Sequence, residues 1–257
     1  MEILILSIFI LILGGLVSLV FKPDFKPKFC SGITILSGIL ALIPALKVLI
    51  SNNTYNISLF TSPVFGSVRL ELDALSAIFV AIIAIMSSLA VIYANGYLKP
   101  YVQKGVDTSA HFLFLMLLIA SMLAVVTVQN GLFFLIVWEL MSLSSFFLVI
   151  FEGEKKEVLK SGIKYLVYMH LSVIFIISMF AILTNASNSF DFYNYIKILS
   201  ENPQLANLVF LLGFTGFGIK AGFVPFHNWL PDAHPAAPSH VSGLMSGVMI
   251  KTGIYGI

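Results

Sequence analysis

Apolar residues run along this chain in long blocks separated by short polar stretches. Eight blocks, near residues 3–21, 29–50, 73–94, 111–129, 131–151, 161–184, 207–227 and 240–257, are long enough for helices that cross a bilayer. Between the second and third, Tyr55 to Leu72 alternates polar and apolar residues and contains Pro63 and Gly66, which predicts a short packing hairpin outside the membrane. The connection 185–206, with Asn185, Asn188, Asp191, Tyr193 and Asn202-Pro203, is polar and long enough to hold a short surface helix. The first block begins with Glu2 rather than a basic segment and has no small-x-small exit before Lys22, so it is expected to be a permanent anchor. The expected fold is an all-α, polytopic bundle of about eight transmembrane helices. Residues 1–110 would form three spans with the external hairpin, and residues 111–257 spans four to eight.

Composition narrows the class further. The 257 residues are 59% hydrophobic and 10% charged, with mean hydropathy +1.01, against roughly 25% charged in soluble domains. That excludes a water-soluble globular protein, and so apolar a chain is not disordered. A net charge of +2, scattered along the sequence, excludes a nucleic-acid partner. A single cysteine, Cys30, excludes an internal disulfide and any CxxC metal or iron–sulfur motif. Lys22, Lys26, Lys28, Lys99, Lys104, Lys155, Lys156, Lys160 and Lys164 all fall on one side of the threaded chain, whereas the other side has Arg69 and Lys197 in its loops and Lys47 near the end of span two. The positive-inside rule places the N-terminus outside and the lysine-rich loops in the cytoplasm.

Of twelve acidic residues, only Glu139 stands deep in an apolar run, GLFFLIVWELMSLSSFFLVIF. A charge at that depth costs about 2.5–3.5 kcal/mol on insertion scales, so it faces protein or water and has a partner. Lys220 in GFTGFGIKAGFVPF and Lys251 in HVSGLMSGVMIKTGIYGI are the matching cations, and the three charges make a candidate relay. Gly243, Gly247 and Lys251 recur every four residues, which predicts a packed face with Lys251 pointing into protein; were the chain to end at Ile257, the ammonium could instead snorkel to the interface. Gly213 and Gly216 precede Lys220 in the same way, and Ser142 lies one turn from Glu139 as a local hydrogen-bonding group. Pro225, five residues after Lys220, frees a backbone carbonyl and predicts a broken seventh span, with Gly218 and Gly222 adding flexibility at that level. Glu139 can alternatively be a structural carboxylate that only holds helices together.

His227, His234 and His240 cluster among prolines, but spacings of seven and six residues do not put two ligands on one helical face, so no metal site is expected. They can link a lysine to water as proton relays, since histidine titrates near neutral pH, or merely cap backbone groups. His170, in span six after Tyr165 and Tyr168, has the same two readings, and His111 is expected to sit at the membrane interface.

The stretch GFGIKAGFVPFHNWLPDAHPAAPSHVSGLMSGVMIKTGIYG, Gly216 to Gly256, resembles the signature of the proton-translocating antiporter-like subunits shared by respiratory complex I, multisubunit sodium/proton antiporters and membrane-bound hydrogenases. PFHNWLPDAHPAAPS followed by VSGLMSGVMIKTGIYG looks most like the large membrane subunit of hydrogenase-4 and formate hydrogenlyase. QNGLFFL and WEL around Glu139, and LDALSAIF at 72–79, are similar to further family landmarks, so the resemblance extends from about residue 70 onward. It implies that the span-five acid pairs with the span-seven lysine and that a span-eight lysine carries the proton onward, which are Glu139, Lys220 and Lys251 here. It also implies a fold of about fourteen spans in two inverted repeats, of which this chain would hold the first. His240 stands where the family pattern has proline.

The expected function is therefore a proton-translocating subunit of a redox-driven complex in a prokaryotic cytoplasmic membrane. No redox cofactor site of its own is expected. The partners would be other membrane subunits, a peripheral redox arm, the lipid bilayer and protons, with sodium as the alternative ion. A subunit of NADH-quinone oxidoreductase or of a multisubunit sodium/proton antiporter, and a non-transporting membrane scaffold, are the competing readings.

Overall fold

The computed structural model describes residues 1–257. In chain order it comprises α1 (Glu2–Ser18), α2 (Lys26–Ser51), β1 (Tyr55–Ser62), β2 (Gly66–Leu72), α3 (Ala74–Gln103), α4 (Ser109–Val125), α5 (Gly131–Val149), α6 (Lys156–Ser187), α7 (Phe192–Glu201) and α8 (Pro203–Ala221). After these come a 3-10 turn (Phe226–Trp229), α9 (Leu230–Ala236), α10 (Ser239–Leu244), a π-turn (Met245–Met249) and α11 (Ile250–Tyr255). Each of the eight expected spans has a helical counterpart. Five helices are long and apolar enough to cross a membrane, the last taken as Pro203–Ala236, and α1 and α4 are shorter apolar helices of 17 residues. Seventeen residues is the lower end of what a bilayer needs.

The helices are apolar on both faces, and burial separates the two. On α1, Leu4, Ser7, Leu11 and Gly14 are buried, while Leu6, Phe9, Leu13 and Leu16 are about half exposed. The inner stripe packs and the outer one offers hydrocarbon to lipid. A close crossing at the site is α6 on α8: the Ser172 hydroxyl donates to the Gly216 carbonyl at 2.7 Å, and a Cβ on Gly216 would stand 3.0 Å from the Ser172 carbonyl oxygen.

The alternating segment forms the expected hairpin, an antiparallel pair running from Tyr55↔Leu72 to Ser62↔Gly66. It clasps the turn between α4 and α5. Asn130, the N-cap of α5, donates from Nδ2 to the Phe65 and Ser67 carbonyls, while its Oδ1 accepts from the Phe133 N–H. Arg69 pairs with Asp191 at 2.6 Å, which ties the hairpin to α7, the expected surface helix. At the opposite end of the bundle, Lys26 bonds the Ser109 hydroxyl and lies 3.6 Å from Asp107, Tyr101 donates to Glu152, and Lys164 pairs with Asp232. Loops carrying the nine lysines thus meet one another, and the hairpin and α7 meet at the other end.

Candidate functional site

Lys220 sits in the last turn of α8 with no exposed surface. The helix ends there because Gly222 caps it in the left-handed region, φ +74°, and the chain turns away before Pro225. A side chain at Gly222 would be strained by that backbone and would have to displace the Leu230 methyl, 2.3 Å from the Cβ position. Gly218, inside the last turn, gives its carbonyl to the Phe223 N–H at 2.9 Å, and the Trp229 indole N–H donates to the Ile219 carbonyl at 3.1 Å. The expected break is therefore present, with the freed carbonyls recaptured. A helix C-terminus is also where backbone dipoles favour a cation.

The Lys220 ammonium donates to Ser142 Oγ at 3.0 Å and to the Tyr165 hydroxyl at 3.4 Å, and it lies 5.7 Å from the centre of the Trp138 ring. Tyr165 and Ser145 are linked at 2.6 Å, so hydroxyls from α5 and α6 continue the polar thread beyond the lysine. Glu139, the expected partner of Lys220, makes no direct salt bridge with it. Glu139 is half-buried on α5 within Coulombic range of both His170 and Lys220. Ser142, expected to serve Glu139, accepts from Lys220 instead, because it stands on the face of α5 that meets α8.

Lys251 corrects a second expectation. It is exposed, and its ammonium bonds the Ser246 carbonyl of its own helix. Nothing lies within 4 Å of a Cβ on Gly243, while one on Gly247 would stand 3.2 Å from the Met86 methyl, so the face is open at Gly243 and in contact only at Gly247. Contact with α8 is made by Gly253, whose Cβ would meet the Phe217 carbonyl at 2.7 Å, and by Gly256 against the Phe217 ring. Gly243, Ser246 and Lys251 are all exposed, so their common face persists across the π-turn at Met245–Met249 and is the open one in this chain.

The histidines separate. His234 Nδ1 lies 3.1 Å from Ser242 Oγ and within Coulombic range of Lys251. His227 is half-buried with Nδ1 unpartnered, and His170 is exposed with Nδ1 3.0 Å from the Leu166 carbonyl oxygen. His240 is buried against His111, which is buried too and stands at the edge of span four, with Nε2 atoms 2.7 Å apart. Sequence reasoning missed Tyr165 and this histidine contact.

Residues 128–257, half of the chain, match the family described as NADH:quinone oxidoreductase/Mrp antiporter, TM. The chain belongs to that family. Residues 64–103 match NADH-Ubiquinone oxidoreductase (complex I), chain 5 N-terminus. Among curated relatives, hydrogenase-4 component B of Escherichia coli (strain K12) is 40% identical over 228 residues, 88% of this chain and 33% of that protein. The Na(+)/H(+) antiporter subunit A1 of Staphylococcus haemolyticus (strain JCSC1435) is 34% identical over 209 residues, 80% of this chain and 25% of that protein. The chain thus spans about a third or less of the length of these relatives. Its fold matches a chain of the membrane-bound sulfane sulfur reductase, an archaeal respiratory membrane complex, with TM-score 0.83 and 23% identity over 97% of this chain and 39% of that one. It also matches a chain of the Mrp complex from Dietzia sp. DQ12-45-1b, with TM-score 0.84 and 22% identity over 98% and 27%.

Proposed function

We propose that this chain works as a proton-translocating membrane subunit of a redox-driven complex of the hydrogenase-4 and formate hydrogenlyase type, relaying protons through Glu139, Lys220 and Lys251. The observation that carries the reading is Lys220, a fully buried ammonium at the end of a broken helix, held by hydroxyls with no carboxylate in contact. A buried lysine gains or loses its proton in response to small changes in nearby charge, which arginine does not. Glu139 supplies that charge: its approach stabilises the ammonium, and its withdrawal removes the stabilisation. His170 stands beside the acid, and the turn at Gly218, Gly222 and Pro225 with His227 gives water a place to meet the lysine. From there the proton passes toward Lys251, whose ammonium reaches back along its helix toward His234. Electron transfer belongs to a peripheral arm of partner proteins.

The likeness to hydrogenase-4 component B supports the redox-driven reading. A second reading, a sodium/proton antiporter subunit, is supported by the Staphylococcus relative. The test is the intact complex in inverted membrane vesicles, measuring redox turnover and proton movement together, with and without sodium. Lys220→Arg keeps the charge, and Lys220→Arg and Glu139→Gln are expected to assemble yet lose proton movement. A Lys220→Arg complex that pumps at the wild-type rate overturns the relay. Turnover in the wild type without ion movement would leave only a scaffold, and proton movement that requires sodium would favour the antiporter.

A further inference from the structure

Outside the Lys220 site, the structure buries two more titratable side chains against each other. His111 stands in the first turn of α4 and His240 in the first turn of α10, each 4% exposed, with Nε2 to Nε2 at 2.7 Å. Phe151 packs on His111 at 4.8 Å between ring centres, and Tyr97 of α3 on His240 at 5.3 Å. No ion pair involves either ring. Of the titratable side chains around them, Tyr97 packs on His240 and stacks on Tyr101, which donates to Glu152 at 2.9 Å, and Asp107 stands four residues before His111. Both Nδ1 atoms are buried and outside any hydrogen bond within the protein.

Two ring nitrogens at 2.7 Å share one proton, because two N–H groups would collide and two lone pairs would repel. The neutral rings therefore hold opposite tautomers. One donates from Nε2 and keeps a lone pair on Nδ1; the other accepts at Nε2 and carries its proton on Nδ1. A proton arriving at the free Nδ1 makes the first ring an imidazolium. Its Nε2–H bond then breaks as the proton crosses to Nε2 of the second ring, which releases its own Nδ1 proton. One proton enters, one leaves, and the tautomers are exchanged; tautomerisation of the two rings resets them before the next transfer. The unit never holds two extra protons, since that would set two Nε2–H groups face to face.

His240 borders one cleft, and His111 packs behind a wall of another. Phe151, the neighbour of His111, helps line a cleft of about 170 Å³ with Tyr101, Glu152, Glu154 and Lys155 at the lysine-rich end of the bundle. His240 itself lines another of about 260 Å³ with Met86, Tyr93, Ser239 and Gly243. Gly243 and Ser246 are exposed three positions apart, and the Ser246 carbonyl is what the Lys251 ammonium bonds.

We propose that His111 and His240 act as a single proton-transfer unit between these two clefts, an inlet that delivers protons from the acidic cleft at Glu152 to the side of span eight that holds Lys251. The inlet rests on the proton-translocating reading above and adds the entrance to it. It is separable from a structural tie between α4 and α10 by glutamine, whose amide N–H can replace an imidazole donor but cannot pass a proton on.

The experiment uses the full complex in inverted vesicles, with His111→Gln and His240→Gln. Both are expected to assemble with redox activity retained and proton movement reduced about tenfold or more. The wild-type pH profile should contain a single ionisation that both variants lack. Variants that pump at the wild-type rate with an unchanged profile, in a complex that Lys220→Arg silences, overturn the inlet alone. A wild-type complex that moves no protons overturns the translocation reading and the inlet with it. Should neither variant assemble, nitrogen NMR of the wild-type complex labelled in histidine decides: scalar coupling across N–H···N and joint titration support the unit, and two rings titrating independently overturn it.

Discussion

Lys220 reaches Ser142 across the seam between α8 and α5, its Nζ donating to the serine hydroxyl at 3.0 Å, one helical turn past Glu139. The acid and the base share a helix neighbourhood without touching, and a neutral hydroxyl occupies the contact that a carboxylate would otherwise make.

Removing those hydroxyls tests what they do. Ser142→Ala and Tyr165→Phe each take one acceptor from a fully buried ammonium, at a cost of about 1–3 kcal/mol. Both are expected to lower the thermal stability of the purified complex and to slow proton movement. Unchanged stability and flux in both would mean that Lys220 has other partners.

Gly222→Ala meets two obstacles, a left-handed backbone and the Leu230 methyl at 2.3 Å from the new Cβ. A loss of about 1 kcal/mol or more is expected, with reduced assembly. An alanine variant as stable as wild type in thermal unfolding would show that α8 can end elsewhere.

Asn130 caps α5 and holds the hairpin through the same side chain. Asn130→Ala should cost about 1–2 kcal/mol and open the 55–72 hairpin to protease. Asn130→Asp keeps the cap acceptor but loses the Nδ2 donor, so it should restore less stability than a cap alone would require. Proteolysis unchanged in the alanine variant would separate cap from clasp.

Glu152 lies outside the spans, and its hydrogen bonds from the Lys155 ammonium and the Tyr101 hydroxyl hold its carboxyl below the usual range. A carboxyl depressed in the folded state stabilises above its unfolded value and loses that contribution as pH falls through the folded one. Glu152→Gln should therefore be less stable than wild type at neutral pH by under about 1 kcal/mol, the pair being partly solvated. The difference should shrink in acid, and a gap that widened as pH fell would contradict the assignment.

Orientation follows from the nine lysines. A reporter fused within residues 152–160 is expected to read cytoplasmic and one within 185–206 external. The reverse pattern would invert the chain.

The spans were legible because a run of apolar residues long enough for a bilayer has few other uses, and the hairpin because its alternation ends at Pro63 and Gly66. Glu139 and Lys220 were legible as charges at depth. Their real contacts were not. Tyr165 reads as one more aromatic in an apolar span, and what marks it is Lys220, 55 positions away. His111 lies at a span edge where histidine is ordinary, and its partner is 129 positions on. Lys251 was legible as sharing a face with Gly243, but a period of four does not say whether that face is packed.

That π-turn gives span eight an unusual relation to insertion and deletion. A π-turn is an α-helix with one residue too many, so removing a single codon between Met245 and Met249 would leave a regular helix. Because the extra residue is absorbed within one widened turn, everything after it would keep its facing. A one-residue gap here is thus silent in the facing of Lys251, whereas the same gap in the regular helix on either side would turn everything beyond it by about 100°.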